Sequence, residues 1–306
     1  MKTSIENLAA FAAMAKHLSV SRAALELGVG KSMVSKRVAQ LEQSVDATLF
    51  SRSTRKIALT PAGELYLDFA SRTVRDAASA HEQVRDLRAA KSGELTGLIR
   101  ITAPVSWGQH VLAPQLVDFL ALNAGVDIEL QLTDRLMDLA YERMDMALRW
   151  TSVSTRALVA QPIARVQWSI VAAPSYLARV SLPQVPADLE RLSCMGYWQA
   201  RADDVWTLSQ GAQKIDVQVR SRFHANNPEA IELAAVAGFG VALLPHYVCA
   251  ASIKRRKLVR LLAGWHAHTK FGNTISAVST PECARMARNR ALTEFLCQVN
   301  LGHLPP

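Results

Sequence analysis

The chain has 306 residues, half of them hydrophobic, and 35 Lys and Arg stand against 26 Asp and Glu, for a net charge of +9 and a pI near 9.6. That length suits about two domains with real cores, and the basic balance suits a polyanionic partner without requiring one. No apolar run approaches the roughly 20 residues needed to cross a bilayer, so no membrane partner is expected.

The charge is concentrated at the start. Residues 1–60 carry nine bases (Lys2, Lys16, Arg22, Lys31, Lys36, Arg37, Arg52, Arg55, Lys56) against four acids (Glu6, Glu26, Glu42, Asp46). Ile5, Leu8, Phe11, Ala12 and Ala15 recur at helical spacing and predict a first helix. Its Ala-rich stretch Leu8–Ala15 has no basic run before it, so it does not read as a secretion signal, and a cytoplasmic protein is expected.

Ser19–Glu42 predicts two short helices hinged at Gly28-Val29-Gly30. Ala23 and Ala24 let another backbone come close, and Leu25, Leu27, Val34, Val38 and Leu41 supply apolar positions at helical spacing. Lys31, Ser32, Ser35, Lys36 and Arg37 are left outside. A basic, hydroxylic second helix behind a glycine turn is the pattern of a DNA-reading helix-turn-helix. A solvated amphipathic hairpin is the plainer reading of the pair alone.

Leu49-Phe50 and Ile57–Leu59 are short strand-like runs around the polar Ser51–Lys56, a hairpin with Arg52, Arg55 and Lys56 near its tip. Beside a basic helix, such a wing is placed to touch phosphates or the minor groove. Thr60 then caps, and Pro61 opens, a helix that runs to about Lys91. Leu67, Ala70, Val74, Ala77, His81 and Val84 form one heptad-like seam along it, which calls for a partner helix, most economically a second copy.

Beyond Gly97 strands and helices alternate: Leu98–Ala103, Trp107–Leu122, Asp127–Leu132, Arg135–Arg143, Asp145–Trp150, Leu158–Gln161 and Trp168–Ala173. Val217–Phe223, Pro228–Ala237, Val241–Leu244, Ile275–Val278 and a closing helix Glu282–Val299 follow. The alternation predicts mostly parallel sheet. About 200 residues of it predict two α/β lobes, with ligands outside the carboxyl ends of strands.

Over essentially its whole length the chain resembles the LysR-type transcriptional regulators. The resemblance is carried by the helix pair, by Leu49, Phe50 and Arg52 of the "LF.R" wing, and by Leu59, Thr60, Ala62 and Gly63 of the "LT.AG" step. It continues in LIRITAPVSWGQHVLAPQLVDFL, DRLMDLAYERMDMALRW and RFHANNPEAIELAAVAGFGVALLP. The resemblance implies an N-terminal all-α winged helix-turn-helix (1–60), a linker and dimerisation helix (61–92), and an α/β two-lobed effector domain (93–306) similar to type 2 periplasmic binding proteins. Lobe I would hold 93–163 and 268–306, and lobe II 164–267. Three places depart from the family: Gly30 stands where Ser often opens the recognition helix, Lys31-Ser32-Met33 stands where Gln-Pro-Ala or similar is common, and Asp46 occupies a usual Gly position, although Asp tolerates a left-handed backbone.

Carried onto this sequence, the family pattern sets Lys31, Ser32, Met33, Ser35 and Lys36 toward the major groove, and Arg22, Arg37, Arg52 and Arg55 toward phosphates. In the effector domain, Ser106 and Trp107 at a helix start, Thr133 and Asp134 at a strand end, and Tyr197, Trp198, His224, Asn226 and Asn227 across the cleft are the candidate ligand contacts. Trp150 would add an apolar wall. Trp107 and Trp150 read equally well as core, and Asn226 as a helix cap. A small carboxylate, aromatic or aliphatic, is the expected effector, since a helix N-terminus favours one.

The implied partners are double-stranded DNA at an imperfect palindrome, the effector, a second copy through residues 61–91 with tetramer assembly, and RNA polymerase for an activator. No cofactor or metal is implied. Within the family, a redox- or stress-sensing regulator without a metabolite is the alternative. Cys194, Cys249, Cys283 and Cys297 form no C-x-x-C pair and read as reduced thiols, and a sensor needs two of them close in space. Outside the family, a solute-binding protein would explain the lobes but not residues 1–91. An enzyme would need convergent groups, and the sequence has no G-x-S-x-G, no P-loop and no His pair at ligand spacing.

Overall fold

The computed structural model describes residues 3–53, 56–89, 94–135, 139, 142, 144–150, 157–197 and 204–299. Two compact units result: Met1–Glu94 makes up most of the first, and Leu95 opens the second.

The first unit holds α1 (Ile5–His17), α2 (Val20–Leu27), α3 (Lys31–Val45), β1 (Phe50–Ser53), β2 (Lys56–Leu59) and α4 (Pro61–Ala89). Hydroxyl caps start the first two helices: Ser4 accepts from the Asn7 N–H and Ser19 from the Arg22 N–H. Gly28 ends α2 and Asp46 ends α3, both left-handed at φ +63° and +50°. Asp46 therefore serves in the backbone state that usually calls for glycine. Phe11, Val34, Val38, Leu41, Leu49 and Phe50 are fully buried in one core, each contributing about 1.5–3 kcal/mol of transfer free energy. Leu25 corrects the sequence reading: it is 84% exposed, because an eight-residue helix that buries Ala23 and Ala24 cannot also bury the next position round.

Two contacts fix the wing. The Glu42 carboxylate accepts from the backbone N–H groups of Leu49 (2.8 Å) and Phe50 (3.1 Å). Thr60 caps α4, accepting from the Gly63 N–H at 3.0 Å while its hydroxyl donates to the Thr48 carbonyl at 2.7 Å. Over 29 residues, α4 is about 44 Å long at 1.5 Å per residue. Its predicted seam is divided. Ala70 is buried, and Leu67 and Val74 pack on the core of their own unit, so that half is spent within the chain. Among the described side chains of α4, Leu65 (84%), Phe69 (49%) and Val84 (55%) are the large apolar ones left exposed.

The second unit runs β3 (Gly97–Ala103), α5 (Val105–Trp107), a π turn (Gly108–Leu112), α6 (Ala113–Leu122), β4 (Val126–Leu132), β5 (Met146–Trp150) and β6 (Val159–Arg165). It continues through β7 (Trp168–Ala172), α7 (Pro174–Leu177), a 3-10 turn (Pro186–Arg191), β8 (Ser193–Tyr197), β9 (Val205–Gln210), β10 (Gln213–Gln218) and β11 (Arg220–Ala225). Then come α8 (Pro228–Val236), β12 (Val241–Pro245), α9 (His246–Lys254), β13 (Val259–Leu261), β14 (His266–His268), β15 (Thr274–Ser279), α10 (Pro281–Arg285) and α11 (Ala287–Gln298).

Lobe I is built on a sheet of order β4-β3-β5-β15-β6, and lobe II on β11-β8-β12-β7-β13 with a small sheet β10-β9-β14. The chain crosses between lobes after β6 and again after β14, and the Val166 N–H donates to the Asn273 carbonyl at 2.8 Å, tying the two crossings together.

Three sequence expectations are corrected. The sheets are mixed rather than mostly parallel: β3 pairs parallel with β4 and β5, and β8 with β11 and β12, but β7, β9 and β15 pair antiparallel with their neighbours. The single strand expected at Val217–Phe223 is divided between β10 and β11, because the Val219 N–H leaves the ladder to bond the Asp204 carbonyl at 2.8 Å. The closing helix breaks at Met286, which is extended at φ −62°, ψ 130°. Most of the expected helix Arg135–Arg143 lies outside the described residues.

Candidate nucleic-acid interface and inter-lobe cleft

On α3, Val34, Val38 and Leu41 turn fully inward, so the helix can present only its other face. Lys31, Ser32, Met33 and Lys36 are exposed there, with Ser35 and Arg37 half-buried. Gly30 brings no side-chain cap to this helix. Arg22 is exposed on the first turn of α2. Glu6 stands near Arg37: backbone and Ser4 hydrogen bonds hold its carboxyl below the usual range, and the Arg37 charge adds to the effect. Arg52 lies on β1 opposite Ile57, and Arg55 is outside the described residues.

In the second unit, the segment that follows β3 in lobe I meets α8 and α9 of lobe II, and these contacts mark the cleft between the lobes. Ser106 is buried, and its hydroxyl donates to the Tyr247 phenol of the other lobe at 3.2 Å. His110 Nε2 lies 3.1 Å from Glu229 Oε1, a second link between lobes. The helix start expected to receive a ligand carboxylate already has one. Asp134 Oδ1 accepts from the Val105 N–H at 3.2 Å. Arg149 reaches the buried Thr102 hydroxyl at 2.9 Å; burial pulls its guanidinium below the usual range, and Asp134 pulls it back. Burial pushes the Tyr197 and Tyr247 phenols well above the usual tyrosine value, and the Asp134 and Glu229 carboxylates push the same way.

The remaining predicted contacts distribute as follows. The Thr133 hydroxyl accepts from the Arg135 N–H at 3.2 Å. His224 pairs with Asp204 at 3.2 Å. Asn227, rather than Asn226, caps α8 by accepting from the Ala230 N–H at 2.9 Å, and Asn226 is exposed. Trp198 lies outside the described residues. Trp107 is wholly buried in the lobe I core, among Ile101, Leu112 and Met146, and forms no cleft wall. Trp150 does reach the junction, 6.0 Å from Trp168 and 6.3 Å from Phe271 between ring centroids.

Sequence reasoning missed Tyr247, Glu229, His110 and Arg149. Only Arg149 had a local signal, a charge inside the apolar run Met146–Trp150, where an unpaired charge would be costly. Burial raises the Cys194 and Cys249 thiols to about 12 and pushes Cys283 up as well.

A winged helix-turn-helix with a cationic exposed helix, joined to a two-lobed α/β unit with a polar cleft, defines a DNA-binding regulator that carries its own ligand-binding domain. Comparison narrows the class. Residues 5–64 match the family described as bacterial regulatory helix-turn-helix protein, lysR family, and residues 92–300 match the LysR substrate binding domain. The chain belongs to the LysR family of transcriptional regulators. It is 34% identical over 261 residues to the HTH-type transcriptional regulator PtxR of Pseudomonas aeruginosa, covering 85% of this chain and 82% of PtxR. The solved structure of CrgA, a LysR-type transcriptional regulator from Neisseria meningitidis, is 26% identical with a TM-score of 0.60, covering 99% of this chain and 100% of that one. The Vibrio cholerae virulence activator AphB shares the fold at 22% identity and a TM-score of 0.61, over 96% of this chain and 98% of that one. Among the described residues no helix is long and apolar enough to cross a membrane.

Proposed function

We propose that the chain acts in the cytoplasm as a ligand-gated regulator that binds an imperfectly palindromic promoter site. Lys31, Ser32, Met33, Ser35 and Lys36 read bases, and Arg22, Arg37, Arg52 and Arg55 hold phosphates. The observation that carries this reading is the orientation of α3, whose buried Val34, Val38 and Leu41 leave the cationic side outward. Two copies pair through the helix that follows the wing, where exposed Leu65 and Phe69 supply an apolar contact, and effector domains join dimers into a tetramer. RNA polymerase is a partner if the regulator activates.

A small molecule bound between the lobes modulates promoter binding and DNA bending by favouring one lobe arrangement. The Ser106–Tyr247 and His110–Glu229 links support this, because both would change when the lobes move. Asp134 at the Val105 N–H argues that a carboxylate effector does not use that helix end.

Genome-wide recovery of bound DNA, followed by binding to the recovered site, tests the reading. Lys36→Ala should weaken binding and relax selectivity at one position by about 1–3 kcal/mol. Arg22→Ala should weaken all sequences alike and flatten the salt dependence by about 0.9 in slope. Unchanged affinity, selectivity and salt slope in both variants would refute the interface.

A further inference from the structure

Lobe II contains a small pocket away from the Ser106 helix end. It opens between the two lobe II sheets: Trp168, Met195 and Leu243 come from the large one, Trp206 from the small one, and Phe271 from the crossing back to lobe I, with Tyr197 between pocket and cleft. Its volume is about 150 Å³. An apolar cavity of roughly that size takes up one benzene-sized molecule.

The wall chemistry fits a ring. Phe271 stacks on Trp168 at 6.4 Å and 15°, and Tyr197 meets Phe271 edge-on at 5.5 Å. Offset and edge-to-face partners of this kind are what a further aromatic ring prefers. The charges at the rim fit an anion. Lys270 Nζ lies 5.2 Å from the Phe271 ring centroid, and no Asp or Glu is among the described residues lining the pocket. The Asp134 and Glu229 carboxylates do not line the pocket; they act on the Tyr247 phenol and on Tyr197, which the pocket and the cleft share.

We infer that this pocket is the binding site for a single-ring aromatic carboxylate, its ring between Trp168, Trp206 and Phe271 and its carboxylate toward Lys270. The inference rests on the ligand-gated reading above and sets the ring of the ligand in lobe II, beside the inter-lobe cleft. Phe271 belongs to the crossing between lobes, and Trp150 of lobe I touches both Phe271 and Trp168. An occupant therefore repacks the groups on which the lobes turn.

Benzoate is the probe, titrated against the full-length protein by tryptophan fluorescence, with benzyl alcohol as the uncharged comparison. Saturable benzoate binding is expected. Leu243→Phe, which fills the pocket, should weaken it about tenfold or more, since a packed site resists added volume. Lys270→Gln should weaken benzoate about two- to fivefold and leave benzyl alcohol alone, the range for one exposed charge pair. No saturable benzoate binding, or unchanged binding in a Leu243→Phe protein of wild-type melting temperature, overturns the site. Equal loss of benzoate and benzyl alcohol in Lys270→Gln overturns the placement of the carboxylate. If Leu243→Phe does not fold, nuclear Overhauser contacts between benzoate and the Trp206 or Phe271 ring decide, and their absence also overturns the site. Promoter binding is read in parallel. Benzoate that binds here without altering promoter affinity leaves the site standing and removes the gating, whereas an effector response untouched by Leu243→Phe does the reverse.

Discussion

A Cβ on Gly63 would stand 2.1 Å from the carbonyl oxygen of Leu49. The same oxygen accepts from the Thr60 N–H at 3.0 Å, so the first turn of α4 is pressed against the strand that enters the wing. Gly63→Ala must push these backbones apart. It should destabilise the N-terminal unit by about 1–3 kcal/mol, the usual range for overpacking, and weaken DNA binding with it. Chemical denaturation followed by binding anisotropy measures both, and a wild-type midpoint would contradict the packing.

Glu42 is the second anchor of the wing. Glu42→Ala leaves the Leu49 and Phe50 N–H groups without their acceptor, a loss of about 1–3 kcal/mol, whereas Glu42→Gln keeps one acceptor oxygen and should lose less. The order of the two variants in urea midpoint is the test. Equal losses would mean that the side chain acts by packing alone.

Across the cleft, Tyr247→Phe removes the acceptor of the Ser106 hydroxyl and keeps the ring. The lobes should open more easily, by about 0.5–1.5 kcal/mol, the net worth of one hydrogen bond. Small-angle scattering of the free protein should show a larger radius of gyration. An unchanged radius together with unchanged effector response would show that this bond does not hold the lobes.

Thiol reactivity separates the cysteines. Only thiolate attacks a disulfide reagent. Raised thiol values keep Cys194 and Cys249 protonated until the pH approaches about 12, and both are buried. Near neutral pH the exposed Cys297 should react first, with Cys194 and Cys249 silent until denaturant is added. Fast labelling of either buried thiol in the folded protein would contradict this order and favour the redox-sensing alternative.

The winged unit was legible because its signals are local. Caps such as Ser19 and Thr60 and buried positions such as Val34, Val38 and Leu41 follow helix periodicity within a few residues. Leu25 failed for the same reason, since spacing alone does not say which side of a short helix faces in. Strand direction was misjudged in the effector domain because β7 is buried at every position, and such a strand reads alike in parallel and antiparallel sheets. The cleft was half legible. Ser106 and Asp134 stand at strand ends as expected, but their partners there, Tyr247 and the Val105 N–H, lie 141 and 29 residues away in sequence. No local pattern carries pairings of that range. Trp168, Trp206 and Phe271 meet only because two lobe II sheets and a crossing segment converge, so the aromatic pocket had no sequence signature.

Asp134 at the Val105 N–H has one more consequence. A carboxylate held on its own chain competes as though it were present at a fixed, roughly millimolar concentration, whatever the state of the cell. Free acids at micromolar levels cannot displace it by mass action alone. With its N–H occupied in this way, the helix end at Val105 is open to an outside acid only if contacts elsewhere in the domain offset the loss of Asp134.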